Sequence, residues 1–394
     1  MNIAILGCGF VADLYATTLG NHPELKLVGL YDRNPKNLSA LCSGEPVRRY
    51  ANLDELTDDS SIDLVLNLTN PRSHYELTKR CLEAGKHVYS EKPLAMDAQC
   101  AAQLAEVAEQ NELMLSSAPC SLLNDTAQTL WKAIRDGAVG KVRLVYANFD
   151  DGMIAPNQSP WLWRNGSGVA WPAKDEFEVG CAYEHAGYVL TWLAAFFGPA
   201  RQVTSFASCQ IPDKGIAVET MAPDFTVGCI EYADGVVARV TCGLVAPRDK
   251  SLTVIGDEGV LFVGNVRNDK APVYLRRAKL SRVQSAFANR TGWLSRWLEQ
   301  RLCWPGTEAL FQRRYPSARK TNGLLVGRSK PVDFLRGPAE VADAIRERRP
   351  CRLSARLGVH IVELVEALQH PERFGGRRQL TTTFPEISPL PWVS

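Results

Sequence analysis

The apolar run Asn2–Leu6 leads straight into Gly7-Cys8-Gly9-Phe10-Val11-Ala12, and this junction limits the fold more than any other stretch of the chain. A continuous apolar run of this length reads as a parallel strand buried on both faces. Val11, Leu14, Tyr15, Thr18 and Leu19 then recur at helical spacing, and Gly20 closes the helix. Between them, Gly7 permits a tight turn and Gly9 lets the backbone come close to a phosphate. The small Ala12 allows the helix to pack against the strand, with its first amides turned toward an anion. Such spacing is weak alone, because glycines end many strands, but its place between strand and helix gives it meaning. Lys26–Tyr31 reads as a second strand and ends at Asp32. A carboxylate there accepts hydrogen bonds from ribose hydroxyls and repels a 2′-phosphate, which favours NAD. Arg33 beside it keeps NADP open, since it could receive that phosphate; the alternative is a solvated surface charge.

The alternation continues. Ile62–Leu68, His87–Ser90 and Met114–Ala118 read as strands, and Ser73-x-x-Glu76 as a capping box opening a helix with Leu77, Cys81 and Ala84 on one face. Asp97 is placed to cap a helix carrying Ala101, Leu104, Ala105 and Ala108 inward. This order predicts an α/β, doubly wound, Rossmann-type parallel sheet over residues 1–120. From 121 to 394 the pattern becomes α+β. A helix over Ala127–Asp136 precedes strands at Lys141–Phe149, Gln202–Ile211, Phe225–Tyr232, Val236–Val245, Ser251–Ile255 and Val260–Val263. Ala233-Asp234-Gly235 and Asp257-Glu258-Gly259 read as hairpin turns, so a largely antiparallel open sheet is expected. Helices over Pro338–Arg348 and Arg356–Gln369 flank it. We expect this second domain to bind substrate and to carry oligomer contacts.

Composition narrows the class. With 394 residues, 45% hydrophobic and 22% charged, the chain suits a soluble two-domain protein. Met1-Asn2 leads into the first strand without a basic or cleavable leader, and the run Ala186–Phe197 is too short to span a bilayer. The 11 cysteines are odd in number and scattered, which indicates neither a disulfide framework nor a zinc site. No metal and a cytoplasmic setting are expected.

The strand His87–Ser90 ends in Glu91-Lys92-Pro93-Leu94. A lysine at the C-terminal end of such a strand lies where open α/β sheets bind ligands. Its ammonium can hold a reacting hydroxyl or carbonyl and stabilise a developing alkoxide. Desolvation beside a positively charged nicotinamide is expected to lower its pKa and make it competent in proton transfer. Glu91 is placed to orient it. The bland alternative is a surface Glu-Lys pair.

Gly7-x-Gly9-x-x-Ala12, Leu68-Thr69-Asn70-Pro71 with His74, Gly85-Lys86-His87-Val88 and Glu91-Lys92-Pro93-Leu94, in this order, resemble the Gfo/Idh/MocA family of NAD(P)-dependent oxidoreductases. That family includes glucose–fructose oxidoreductase, inositol dehydrogenase and rhizopine-catabolism proteins. The resemblance implies a Rossmann domain, a second domain on an open sheet, and oxidation or reduction of sugars, cyclitols or nucleotide sugars. It also implies that Lys92 is catalytic and that Thr69, Asn70, Pro71 and His74 lie along the ribose–nicotinamide half of the cofactor. The family's second motif, usually Asp-x-Gly-x-His-x-x-Asp, is altered here. Counting back from Gly198 sets Glu184 at the first Asp, Tyr188 at the His and Thr191 at the second Asp, while His185 is an extra imidazole. Some relatives, glucose–fructose oxidoreductase among them, also have Tyr at the His position. Either Tyr188 shares the proton with Lys92, or His185 does after a small register change. A phenol titrates near 10 and an imidazole near 6.5, so Tyr188 needs the field of Lys92 to work at neutral pH. Packing roles for both are the third reading. Trp163-Arg164 resembles the family's Trp-Arg before this motif and is a candidate substrate contact.

Between Asn265 and Arg336 there are 16 Lys/Arg against 4 Asp/Glu, so this block carries about +12 against a whole-chain charge of +2. Trp293, Leu294, Trp297, Leu298 and Leu302 fall at helical spacing among Arg290, Arg296 and Arg301. A basic amphipathic helix of this kind suits an anionic membrane surface on the inner face, or an anionic nucleotide sugar. A solvated or oligomer-packing insertion explains it as well, and no nucleic-acid motif accompanies the charge. Two rival functions stay open beside sugar oxidoreduction. One is a tightly held NAD used for transient oxidation during elimination or hydrolysis; the other is an inactive cofactor-binding regulator.

Overall fold

The computed structural model describes residues 1–41, 47–154, 158–278, 313–319 and 332–393. Six parallel strands form the first sheet: β1 (Asn2–Leu6), β2 (Lys26–Tyr31), β3 (Arg48–Arg49), β4 (Leu64–Asn67), β5 (His87–Ser90) and β6 (Leu115–Ser117), in the order β3-β2-β1-β4-β5-β6. Ile3 through Leu6 and all of β4 are buried, as continuous apolar strands covered on both faces must be. The strand order reverses between β1 and β4, and the carboxyl ends of the strands there open onto a crevice, the place where such sheets bind ligands. Asp97 caps its helix as expected, accepting from the Cys100 amide at 2.7 Å. Ser73 does not cap. Its backbone already lies in the helical region (φ −95°, ψ −8°) at the end of a tight turn begun by Pro71, whereas a capping residue needs extended geometry.

The second sheet contains β7 (Val142–Asp150), β8 (Ala200–Ser208), β9 (Phe225–Tyr232), β10 (Val237–Gly243), β11 (Leu252–Gly256), β12 (Gly259–Val263), β13 (Val273–Arg277), β14 (Arg313–Arg314) and β15 (Arg377–Gln379). Its order is β14-β13-β12-β11-β7-β10-β9-β8-β15, antiparallel except for the pair β7/β10. Residues alternate inward and outward along β7. Val145, Ala147 and Phe149 are buried, while Leu144 and Tyr146 face solvent. The helices Gly187–Phe197 and Ala355–Gln369 cover the inner face, and the second of these also packs on the helix Ala98–Gln110 of the first sheet. Tyr89 is sealed beneath Gly337, where any Cβ would lie 2.3 Å from the ring.

The region before the helix Gly187–Phe197 departs from regular geometry. Residues Ala182–Ala186 form a wide π turn that runs directly into the helix. In a regular helix Glu184 and Tyr188 share a face and His185 points about a quarter turn away. A π turn adds a residue per turn and swings His185 toward the same side.

Candidate functional site

A cleft of about 920 Å³ runs from the glycine turn after β1 to the end of β7 and the loops after β10 and β12. Gly9, Phe10, Val11, Thr69, Asn70, Pro71, Glu91 and Lys92 line one side. Glu176, Glu184, His185, Tyr188, Asp151 and Arg267 are among the residues lining the other.

The dinucleotide side has the form that a pyrophosphate needs. Gly7 adopts φ +93°, and a Cβ there would lie 2.7 Å from the Thr69 methyl, so only glycine brings these two loops together. At Gly9 a Cβ would meet nothing within 4 Å; the space over this residue is open to the cleft. Asp32 turns its carboxylate back to the glycine loop, accepting from the Cys8 amide at 2.8 Å, the Asn34 amide at 2.7 Å and Asn37 Nδ2 at 3.1 Å. A carboxylate has about four acceptor directions, so roughly one remains for a ribose hydroxyl. Arg33 is exposed beside it. Asn70 is held by Asp175, to which its Nδ2 donates at 2.6 Å.

His74 sits elsewhere than along the cofactor groove. It is fully buried, with Nδ1 2.6 Å from the Pro93 carbonyl and Nε2 2.9 Å from the Thr69 carbonyl. It fastens the Thr69 loop to the Lys92 loop from behind. Burial foremost keeps its pKa below the usual histidine value, against the two carbonyls. A neutral ring donates to only one of the two carbonyls at a time.

Lys92 follows β5, and its bond to Pro93 is cis. Glu91 orients this residue through the backbone: Oε2 accepts from the Lys92 amide at 3.0 Å, while Oε1 accepts from the Tyr15 hydroxyl at 2.7 Å. The Lys92 ammonium itself donates to Glu184. Burial alone would lower its pKa, but Glu184, Glu176, Tyr188 and Glu91 overrule it and hold the pKa above the ordinary lysine value. The protein's own groups therefore act opposite to the lowering expected beside a positively charged nicotinamide, because the nearest charge is a carboxylate. Glu176 completes the chain. Burial and the neighbouring Glu184 push its carboxyl well above the ordinary range. No motif marked Glu176, which lies on the short helix Ala173–Val179 before Gly180.

Tyr188 and His185 both line the cleft, so the sequence alternative becomes a shared site. Tyr188 stacks on Phe149, with ring centroids 4.8 Å apart and planes 12° off parallel. Among the described residues its hydroxyl makes no hydrogen bond. Burial raises its pKa, with Arg267 and Lys92 pulling the other way. The net effect is opposite to the lowering that Lys92 alone would produce, because desolvation is the larger cause. His185 lies 5.0 Å from Phe149, and its Nε2 is 3.5 Å from Asp151. Burial holds its pKa down to about 3, and Nδ1 is buried without a partner. A neutral imidazole is a poor acid at pH 7.

Two expected substrate contacts lie apart from the cleft. Arg164 donates to the carbonyls of Trp161 and Trp163 at 2.9 and 2.8 Å, which turns it outward, whereas Trp163 lines the cleft. Thr191 is buried and gives its hydroxyl to the Gly187 carbonyl at 2.8 Å, as threonines inside helices often do. Sequence reasoning did not reach Asp151, Arg248, Lys250 or Arg267. Asp151 had a legible signal, a carboxylate at a strand's carboxyl end. The basic residues depend on loop geometry that no periodicity encodes.

Residues 1–118 match the model described as the oxidoreductase family, NAD-binding Rossmann fold, and residues 127–262 match the GFO/IDH/MocA C-terminal domain. The chain belongs to the Gfo/Idh/MocA oxidoreductase family. An uncharacterized oxidoreductase of Synechocystis is 24% identical over 274 residues, covering 67% of this chain and 72% of the relative. Other curated relatives are spanned over only 53% and 41% of their length. The fold matches an aldose-aldose oxidoreductase from Caulobacter crescentus (TM-score 0.73, 17% identity, covering 96% of this chain and 99% of that one). It also matches the WlbA dehydrogenase from Bordetella pertussis, solved with NADH and UDP-GlcNAcA (TM-score 0.68, 18% identity, 97% and 98% covered). As a member of this family the chain is an NAD(P)-dependent oxidoreductase, and the open space at Gly9 with the acceptor left on Asp32 fits a dinucleotide.

Proposed function

We propose that this oxidoreductase interconverts a carbinol and a carbonyl on a sugar, cyclitol or nucleotide sugar, with Lys92 and Tyr188 handling the proton at the reacting oxygen. The observation that carries this reading is that the Lys92 ammonium, beside the dinucleotide turn, shares one cleft with the Tyr188 hydroxyl, which makes no hydrogen bond among the described residues. A nicotinamide, when bound along Thr69, Asn70 and Pro71, supplies or takes up the hydride. Lys92 is fixed by Glu184 and stays charged, so it stabilises negative charge growing on a carbonyl oxygen. Tyr188 keeps its proton and donates it to that oxygen. In the oxidising direction the same path runs backwards: the Tyr188 phenolate takes the carbinol proton while the charged Lys92 holds the oxygen as negative charge builds on it. His185 acts in this scheme as a neutral wall that fixes Phe149 and Asp151. A related protein crystallised with NADH and UDP-GlcNAcA supports the substrate class. Among the described residues no helix is long and apolar enough to cross a membrane.

The test is a panel of nucleotide sugars, uronates, free sugars and cyclitols, followed through the nicotinamide absorbance. Net reduction of NAD with one class supports oxidoreduction. Turnover of a glycoside without net NADH would favour the transient-oxidation alternative. We further propose that the outer face of the second sheet, with Leu144, Tyr146 and Phe206 exposed, packs against a second copy; light scattering of the purified protein tests this. The amphipathic run at Trp293–Leu302 lies outside the described residues, and binding to anionic liposomes tests its proposed role at a membrane surface.

A further inference from the structure

Arg267, just after β12, is mostly buried on the wall of the cleft, with its guanidinium 5.1 Å from the centre of the Tyr188 ring. Among the described residues it has no hydrogen-bond or ion-pair partner for that guanidinium. A guanidinium carries five donors in a planar fork, and leaving them unpaired away from water is costly. Its neighbours take each other instead. Lys250 Nζ lies 2.5 Å from Asp151 Oδ1 and Arg248 lies 3.4 Å from the same oxygen, while His185 approaches the other oxygen. Asp249 also lines this end, but its carboxylate accepts from Asn148 Nδ2 at 2.9 Å and from the Ser251 amide at 2.9 Å. Three cations therefore face two carboxylates that are both engaged. At the other end the Lys92 ammonium is paired with Glu184, beside Glu176. Glu91 and Asp175 also line the cleft, so any positive excess is confined to this end, where Arg267 holds the open donors.

We propose that Arg267 is a specificity-determining residue that anchors an oxyanion of the substrate, a carboxylate or a phosphate, with Arg248 at the rim. This rests on the reading of the cleft as a sugar site and narrows it to anionic sugars. Because Arg267 lies over Tyr188, the oxyanion sits within a few bonds of the reacting carbon, and binding it there fixes the carbinol against Lys92. The planar fork suits bidentate contact with either oxyanion. His185 Nδ1, buried and unpartnered in the same wall, offers the substrate one further polar contact.

The NADH-loaded protein is titrated calorimetrically with glucose, glucuronate and glucose 6-phosphate, for the native chain and for Arg267→Gln and Arg267→Lys. The expected result is at least tenfold tighter binding of one anion than of glucose, weakening as salt rises. Arg267→Gln should lower that affinity about 10- to 100-fold and change glucose binding less than threefold, and Arg267→Lys should restore part of it. Preference for glucuronate identifies a carboxylate ligand, and preference for the 6-phosphate a phosphate. Equal affinity for glucose and both anions, no binding of either anion, or equal losses for neutral and anionic probes in Arg267→Gln would overturn the assignment. A neutral sugar that is oxidised, needs Lys92 and is indifferent to Arg267→Gln removes the oxyanion anchor while leaving the sugar oxidoreductase reading intact.

Discussion

The Lys92 ammonium and the Glu184 carboxylate, 92 residues apart in sequence, form an ion pair whose carboxylate side chain is only 4% exposed. Burial of this kind makes each partner depend on the other, because a lone buried charge costs far more than the pair contributes. The pair also ties the strand end after β5 to the π turn of the second domain.

Replacing Glu184 by Gln should therefore act through Lys92. Without its main carboxylate, the ammonium loses the largest influence that raises its pKa, and burial then pulls the pKa down. The basic limb of the pH–rate profile should move to lower pH, and kcat should fall about 10²-fold. An unchanged basic limb in Glu184→Gln would separate Glu184 from the proton chemistry.

Tyr188→Phe and His185→Asn should behave differently. The phenol touches the reacting oxygen in our scheme, so Tyr188→Phe should cost about 10²- to 10³-fold in kcat with dinucleotide affinity kept. His185 is held neutral by burial, with its pKa down to about 3, so no inflection near pH 6.5 should belong to it. His185→Asn should alter KM more than kcat. A profile whose acidic limb near pH 6.5 vanishes in His185→Asn would reverse the two roles.

The glycine turn offers a test that needs no substrate. Gly9→Ala adds a methyl into open space, so the protein should fold normally but bind NADH at least tenfold more weakly, since the methyl occupies the phosphate's approach. Gly7→Ala places a Cβ 2.7 Å from Thr69 at φ +93°, and should lower stability by about 1–3 kcal/mol. Fluorescence titration and thermal melts distinguish the two. Normal NADH affinity in Gly9→Ala would contradict the placement of the pyrophosphate.

Acid should weaken the fold through its buried histidines, while Asp150, raised by burial to about 6, takes up its proton more readily when folded and acts in the opposite sense. His185 and His360 are held by burial at about 3 and about 4, and burial also lowers His74. Each takes up a proton in the unfolded chain near 6.5 but resists it when folded. The unfolded state therefore binds more protons below 6.5, and stability falls as pH drops from there toward 4. His22, raised by Asp333 against its own burial, contributes in the opposite sense: its stabilisation is present below about 6.5 and is lost at higher pH. The melting temperature should drop by several degrees between pH 7 and pH 5; a flat curve down to pH 4.5 would show that these histidines ionise in place.

The sequence carried the first sheet almost completely, because its strands are buried on both faces and its turns need glycine. Asn2–Leu6 with Gly7 and Gly9, and the strand before Lys92, announce their positions through composition alone. The second sheet was legible as strands and hairpins but not in its order. The parallel pairing of β7 with β10 and the edge strands β13 to β15 depend on contacts far apart in the chain. In the site, Lys92 and Tyr188 could be found from motif and spacing. The π turn that places His185 beside Tyr188 leaves no periodic trace, because one added residue in a turn changes direction without changing composition. Glu176 and Arg267 were hidden for a related reason: each is an ordinary charged residue until the fold brings it to the cleft. The basic stretch showed charge but not which arginine would matter.

The central claim is that Lys92 works on the reacting oxygen and does not merely hold the fold. The direct measurement is NADH affinity and single-turnover rate in Lys92→Met, using the best substrate from the sugar panel. NADH should bind within about threefold of the native chain, and the rate should fall about 10³-fold, in line with loss of a charged group that acts on the transition state. A native turnover rate in Lys92→Met, with NADH bound normally, would contradict the claim outright.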